Sequence, residues 1–381
     1  MNAARIEGAP IRKDAARRIP SLDGIRATSM MLVFASHAGF ARETIGGFGV
    51  NVFFFLSGFL ITTLLRLEHE KTGAVRIASF WMRRVLRVLP PFYTVALGAI
   101  AIGVIAYPPG TVNAPSLIAE LLFYSNYYGL HGVHRAIPGT GVVWSLAVEE
   151  HFYLLFPLLY VAMQKWLPSR RHQAWLLWGL CAAVLAWRCV LVFDMHLDNK
   201  RIYPTTDTRI DSILFGCALA VCNNPYADNS APRDPAIGPG LWKYVLLPAA
   251  AAVLSWCVFF DDPTFQNTAS FSVQGVALTV VFIAAIRLHD WLPFRVLNWH
   301  PIVYIGTLSY SLYLVHDVFL KATMRLWPHA HAWQRAVVAL AASFVAALAI
   351  YVAIEKPCAS LRKKLRNQSV PHARIVDVVA L

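Results

Sequence analysis

"SLDGIRATSMMLVFASHAGF", residues 21–40, decides how the rest of the chain is read. The stretch has the length and apolarity of a membrane-crossing helix, which takes roughly 20 residues rising about 1.5 Å each. Yet it carries Asp23, Arg26 and His37. Ionisable groups in hydrocarbon are costly and usually face a cavity or one another, so the segment predicts a spanning helix with a functional face. Arg26 and His37 are eleven residues apart, which places them about 20° from each other around the helix and about 16 Å apart along it. Asp23, three residues before Arg26, is spaced to pair with it. The blander reading has Arg26 snorkelling and His37 satisfied in the core; the shared face argues against it.

The composition agrees with a membrane protein. Of 381 residues, 57% are hydrophobic and only 14% charged, with a mean hydropathy of +0.51, beyond what a soluble core requires. The formal net charge of +13 does not point to nucleic acid, because the basic residues alternate with long apolar runs instead of forming one solvated face. Cys181, Cys189, Cys217, Cys222 and Cys257 lie in apolar segments and Cys358 just beyond the last. Without metal-ligand or redox spacing they read as small hydrophobes, and no metal is expected. The first apolar run lacks the form of a cleaved secretory signal and is expected to remain.

The predicted fold is all-α, a polytopic membrane helix bundle with about ten transmembrane helices at 22–41, 49–66, 88–107, 142–164, 173–193, 208–223, 243–260, 271–288, 301–321 and 334–354. The apolar part of residues 116–130 is too short to cross and suits an interfacial or re-entrant segment. With that segment on one side, 24 of the 34 basic residues fall in the inner segments. The positive-inside rule then makes both termini cytoplasmic, in a multi-pass protein of the inner (plasma) membrane. The chain divides into a basic N-terminal segment, 1–20, a membrane domain, 21–362, and a cytoplasmic tail, 363–381. Residues 223–240, rich in Pro, Asn and Asp, read as a flexible cytoplasmic loop.

Several other spans carry ionisable groups in their outer halves. "VVWSLAVEEHFYLLFPLL", 142–159, holds Glu149, Glu150 and His151; adjacent carboxylates point about 100° apart, so only one of the pair aims at a given site. Asp207, Arg209 and Asp211 open the sixth span, and His316 and Asp317 lie in the ninth. Helix-to-helix polar contacts or interfacial ion pairs are the plain alternatives. At the inner side, "FWMRRVLRVLPPFY", 80–93, places Arg84 and Arg87 three apart on one helical turn just before the third span, a spacing able to hold a polyanion such as a nucleotide phosphate. As ordinary positive-inside residues they would need no ligand. Ser57 and Gly58, mid-span in "GVNVFFFLSGFLIT", read as helix packing rather than chemistry.

Taken in order, residues 21–40, "GVNVFFFLSGFLIT", "RRVLRVLPPFY", "WSLAVEEHFYLLFPLL", "SYSLYLVH" and "YVAIEKPCASLRK" resemble the motifs of the acyltransferase 3 family of membrane O-acyltransferases, over about residues 21–362. The chain differs from the usual pattern at Ala27, His151 and Asp317. The resemblance implies transfer of an acyl group, most often acetyl, from acyl-coenzyme A (acetyl-CoA) to a hydroxyl of an extracytoplasmic carbohydrate or glycoconjugate. It implies His37 as the catalytic histidine with Glu149 and Glu150 as paired acidic residues, and Arg26, Arg84 and Arg87 on the donor side. Asp207, Asp211, His316 and Trp144 are the expected acceptor-side groups, and Ser145, Trp144 or His316 the candidate oxyanion donors. On this reading His37, oriented by Glu149 or Glu150, is a general base; an acyl-histidine relay fits the spacing equally. Membrane lipids are the only other expected contacts, and the oligomeric state is open. Acylation of a lipid or small glycosylated metabolite is the nearest alternative. A proton-coupled transporter is the alternative of another class, disfavoured because repeated halves with broken helices are absent.

Overall fold

In the computed structural model, every regular element among the described residues (19–106, 108, 113–131, 139–228 and 238–368) is a helix. They run α1 (Leu22–His37), α2 (Glu43–Thr72), α3 (Ile77–Ala106), α4 (Ala114–Leu121), α5 (Val143–Trp166) and α6 (Arg170–Cys189). Then come α7 (Thr206–Cys222), α8 (Leu247–Phe259), α9 (Ser270–Arg287), α10 (His300–Leu326), α11 (Ala332–Ile350) and α12 (Lys356–Gln368).

Among the described residues eight helices are long and apolar enough to cross a membrane, against the ten spans expected. The two that fall short are α1, with 16 residues, and α7, with 17. Both are interior elements: α1 packs between α2 and α10, and α7 packs against α2, α6 and α9. Thirteen of the 17 residues of α7 are buried. A helix walled by protein need not match the lipid thickness, so its length is set by its neighbours. The expectation of cytoplasmic termini concerns segments 1–18 and 369–381, which lie outside the described residues.

Close backbone contacts hold these central helices together. A Cβ on Gly58 of α2 would stand 1.9 Å from the Ile213 carbonyl oxygen, and one on Gly216 of α7 would stand 2.0 Å from that of Phe55. Gly306 of α10 meets the Asp23 carbonyl of α1 in the same way, at 1.9 Å. Small residues at such crossings let main chains touch, which is how helices associate where lipid supplies no hydrophobic drive.

Three local features bear on the site. Residues 116–130 do not cross: α4 and a second short helix, Ser125–Tyr128, are separated by Phe123 in the left-handed region (φ 57°). The arginines of 83–87 do not precede a helix but lie inside α3, whose 30 residues reach about 45 Å. Pro90 and Pro91 interrupt its hydrogen-bond ladder one turn further on, and there the Tyr310 hydroxyl of α10 donates to the Val88 carbonyl at 2.8 Å. Finally, Asn224 to Asp228 form a bonded turn, with Asn224 Oδ1 accepting from the amides of Tyr226 and Ala227; residues 229–237 of the expected flexible loop lie outside the described residues.

Candidate active site

A narrow cavity of about 80 Å3 runs between α1, α2, α3, α5 and α10. Arg26, Arg84 and Arg87 line it. Its other polar lining comes from Ser57, Glu149, Tyr153, Ser145, Ser309 and Tyr313. A larger cavity, about 210 Å3, lies beside Arg66, Glu70 and Arg170. There the charges neutralise one another: Arg66 binds Glu70 and Asp228, and Arg170 binds Glu70 at 2.5 Å. The narrow cavity is the candidate site because its cations are not neutralised in this way.

The arginines of α3 divide by partner. Arg83 turns aside to Glu68, at 2.8 Å. Arg84 lies over the rings of Phe80 and Tyr153, at 5.6 and 5.5 Å, and neither it nor Arg87 has a carboxylate partner within ion-pair distance among the described residues. Arg26 keeps only a long contact to Asp23, 3.9 Å, and its buried Nε has no hydrogen bond. Arg362 of α12, which the sequence reading passed over, is in electrostatic reach of Arg84 and Arg87. Arg26, Arg84 and Arg87 share the cavity with a single lining carboxylate, Glu149, so positive charge prevails along it, and charge within a membrane protein usually faces a cavity or a partner.

The two adjacent carboxylates behave differently. Glu149 accepts from Ser57 Oγ at 2.7 Å and from the Tyr153 hydroxyl at 3.2 Å. Ser57, expected to serve packing alone, is therefore part of the polar lining, whereas Gly58 does serve packing. Glu150 has a buried Oε1 with no hydrogen-bond partner. Neither holds His37. That histidine, exposed on the last turn of α1, has its Nδ1 2.9 Å from Nε2 of His316 on α10. The rings meet edge to edge, with centroids 5.1 Å apart and planes 12° from parallel. The expected orientation of His37 by Glu149 or Glu150 is thus corrected: among the described residues its hydrogen-bond partner comes from α10.

α10 connects the cavity to this pair. Ser309, Tyr310, Tyr313 and His316 recur at helical spacing and share a face, rising about 10 Å from first to last. The Tyr313 hydroxyl meets Ser145 Oγ at 2.6 Å, pinning α10 to the first turns of α5. Polar residues repeated at intervals of three to four in "SYSLYLVH" were a legible signal for Tyr313; only His316 and Asp317 were singled out there.

Three acceptor-side expectations change. Asp211 is fully buried and bonded to Arg188 at 2.9 and 2.7 Å and to Ser272 at 2.8 Å, so it neutralises an interior arginine and offers no surface to an acceptor. Trp144 is not in the cavity lining and joins Tyr203 and Phe271 around the guanidinium of Arg209, which lies 5.3, 4.9 and 4.0 Å from their rings. His316 has both ring nitrogens engaged, Nε2 to His37 and Nδ1 to the Tyr313 carbonyl at 2.8 Å, and so has no donor left for an oxyanion. Asp207 sits at the mouth of α7, bonded to Arg201 and Trp187 Nε1 and, at 3.0 Å, to the Tyr127 hydroxyl. Among the described residues no group of three His, Cys, Asp or Glu side chains could hold a metal ion.

The comparisons with known proteins agree on one kind of chemistry. A family described as an acyltransferase domain matches residues 19–355. The chain is 29% identical to a peptidoglycan O-acetyltransferase of Listeria monocytogenes over 355 residues, 89% of this chain and 55% of that protein. It is 30% identical to a putative peptidoglycan O-acetyltransferase of Bacillus subtilis over 79% of this chain and 48% of the relative. A putative O-acetyltransferase of Staphylococcus aureus is 27% identical, over 79% and 50%. The chain thus spans about half the length of the curated relatives it matches. No solved structure matches it.

Proposed function

The chain belongs to the acyltransferase 3 family, and on that footing we propose that it moves an acyl group, acetyl foremost, from acyl-coenzyme A on the cytoplasmic side to a carbohydrate hydroxyl on the other side of the membrane. The observation that carries this reading is the cavity, with Arg26, Arg84 and Arg87 in its lining and Tyr313 leading on to the His37–His316 pair. Coenzyme A has that form in reverse: a polyanionic head and a long thin arm tipped by the thioester. Arg84 and Arg87 hold the head by charge-assisted hydrogen bonds. The roughly 16 Å between Arg26 and His37 is of the order of the arm's reach. The excess of basic residues at the arginine end supports reading that end as the cytoplasmic one, in a plasma (inner) membrane protein.

At the other end His37 takes the proton of the acceptor hydroxyl as its oxygen attacks the thioester carbonyl carbon. The tetrahedral adduct collapses with rupture of the carbon–sulfur bond, an ester forms, and the sulfur leaves as coenzyme A thiol, reprotonated by His37. Ser145 is the remaining candidate donor to the oxyanion: its hydroxyl lines the cavity, and its single rotatable hydrogen, set between the Val142 carbonyl at 3.0 Å and the Tyr313 hydroxyl at 2.6 Å, has to swing from them to reach an oxyanion. The names of the relatives favour a cell-wall glycan as acceptor.

Membranes carrying the protein, supplied with labelled acetyl-coenzyme A, test this through base-labile acetate appearing in envelope carbohydrate. His37→Ala is expected to lower transfer by about 100-fold or more while leaving donor binding intact. Arg84→Ala with Arg87→Ala is expected to weaken donor binding, by roughly tenfold or more for each charged hydrogen bond removed. Near-normal transfer by inserted His37→Ala protein sinks the base assignment, and unchanged donor binding by the double variant sinks the phosphate site.

A further inference from the structure

We infer that His316 is a positioning residue that fixes the tautomer of His37, placing the proton of that ring on Nδ1 and its lone pair on Nε2. The inference rests on the reading of His37 as the base and adds the group that keeps it in working form.

Two contacts carry the argument. His316 Nδ1 lies 2.8 Å from the backbone carbonyl oxygen of Tyr313, and His316 Nε2 lies 2.9 Å from His37 Nδ1. A carbonyl oxygen only accepts, so His316 Nδ1 bears a hydrogen and donates it. A neutral imidazole has one N–H, so Nε2 of His316 is the acceptor in the second contact. His37 Nδ1 must then donate, and the lone pair of His37 is left on Nε2.

The surroundings keep His316 neutral. It is completely buried, whereas His37 is exposed. The groups facing it are the rings of Phe34, Tyr313 and His37, with centroids 6.4, 5.6 and 5.1 Å away. The adjacent carboxylate, Asp317, is turned to Lys321 at 2.7 Å and makes no bond to the ring. A second proton on His316 would put an unpaired charge in a dry site and remove the acceptor that His37 uses. The arrangement does with a histidine and a main-chain carbonyl what a carboxylate does in a hydrolase triad, and the near-coplanar, edge-to-edge setting of the two rings aims the His37 N–H at the His316 lone pair.

The test joins a spectroscopic readout with kinetics. In protein labelled with 15N-histidine and held in nanodiscs, the His37 signals, identified by their loss in His37→Ala, should show a protonated Nδ1 and a bare Nε2. Coenzyme A release from acetyl-coenzyme A in membranes, with acetate incorporation into envelope carbohydrate, supplies kcat and the donor KM. His316→Phe, which keeps a ring but loses the acceptor, should lower kcat by about 100-fold or more with the donor KM unchanged. His316→Gln, whose amide oxygen reaches about where Nε2 lies, should recover at least tenfold of that loss. A protonated Nε2 on His37 in the unaltered protein overturns the inference even if no variant folds. So does full activity of His316→Phe beside an inactive His37→Ala, an outcome that leaves the base assignment standing. The expected tautomer together with an active His37→Ala supports the hydrogen-bond chain and removes the base reading instead.

Discussion

Arg188 and Arg84 are both arginines within helices of a membrane protein, and they differ in what neutralises them. Arg188 has Asp211, Ser272 and two carbonyls, while Arg84 has only aromatic faces. The sequence shows the depth of such residues, because hydropathy marks where a span begins, but their partners come from helices distant in the chain. Asp211 and Glu149 looked alike for that reason, and one is a structural counter-ion while the other lines the cavity. Asp228 is a third kind, outside the spans. Burial works to raise its carboxyl, yet the Arg66 hydrogen bond and charge, aided by the Asn224 amide and Arg170, outweigh it and hold the group below the ordinary aspartate value of 3.8. A carboxyl lowered in the folded state adds stability that is complete above its unfolded pKa and is lost as pH falls through the folded one. In detergent, the difference in unfolding midpoint between the unaltered protein and Asp228→Asn should therefore be constant near neutrality and shrink only below about pH 4. A gap that stays open at lower pH would mean that Asp228 acts by shape and not by charge.

At the scale of elements, the crossing of α2 and α7 is the tightest constraint on the scaffold. Gly58 and Gly216 face each other's helix backbones within what would be 2.0 Å of an added Cβ. Gly216→Ala must separate the helices by about an ångström or more, and is expected to cost at least about 3 kcal/mol, read as loss of monodisperse protein and a lowered unfolding midpoint. Gly98→Ala in α3 is the control: nothing lies within 4 Å of its Cβ position, and alanine favours the helix by about 1 kcal/mol. Equal behaviour of the two variants would remove the crossing as a determinant. The Gly58 side of this contact was legible in the sequence as a small residue in mid-span. The extents of α2 and α3 were not, since both continue well past the hydrocarbon into charged turns where apolarity gives no signal. The shortness of α1 and α7 was equally hidden, because enclosure by neighbours is a property of the assembled bundle.

For the whole molecule, the helical fold and the order of motifs could be read from one dimension. The pairing of His37 with His316 could not: 279 residues separate them, and both Glu149 and His316 offered suitable chemistry at a similar depth. Only the packing of α1 against α10, fixed where Gly306 meets Asp23, selects between them. The hydrogen-bonded chain from His37 through His316 then ends on the carbonyl of Tyr313, which has no proton to hand on. On the proposed mechanism a proton taken up by His37 therefore has no exit along α10 and goes from the nitrogen that received it to the leaving sulfur. On that mechanism the acyl group passes outward while the acceptor's proton ends on the coenzyme A thiol, an exchange that moves no net charge and is electrically silent. Acetate transfer in sealed vesicles should run at one rate with the membrane potential at zero or at 100 mV. Carrying one elementary charge fully across would instead shift the energetics by about 2.3 kcal/mol, roughly 50-fold.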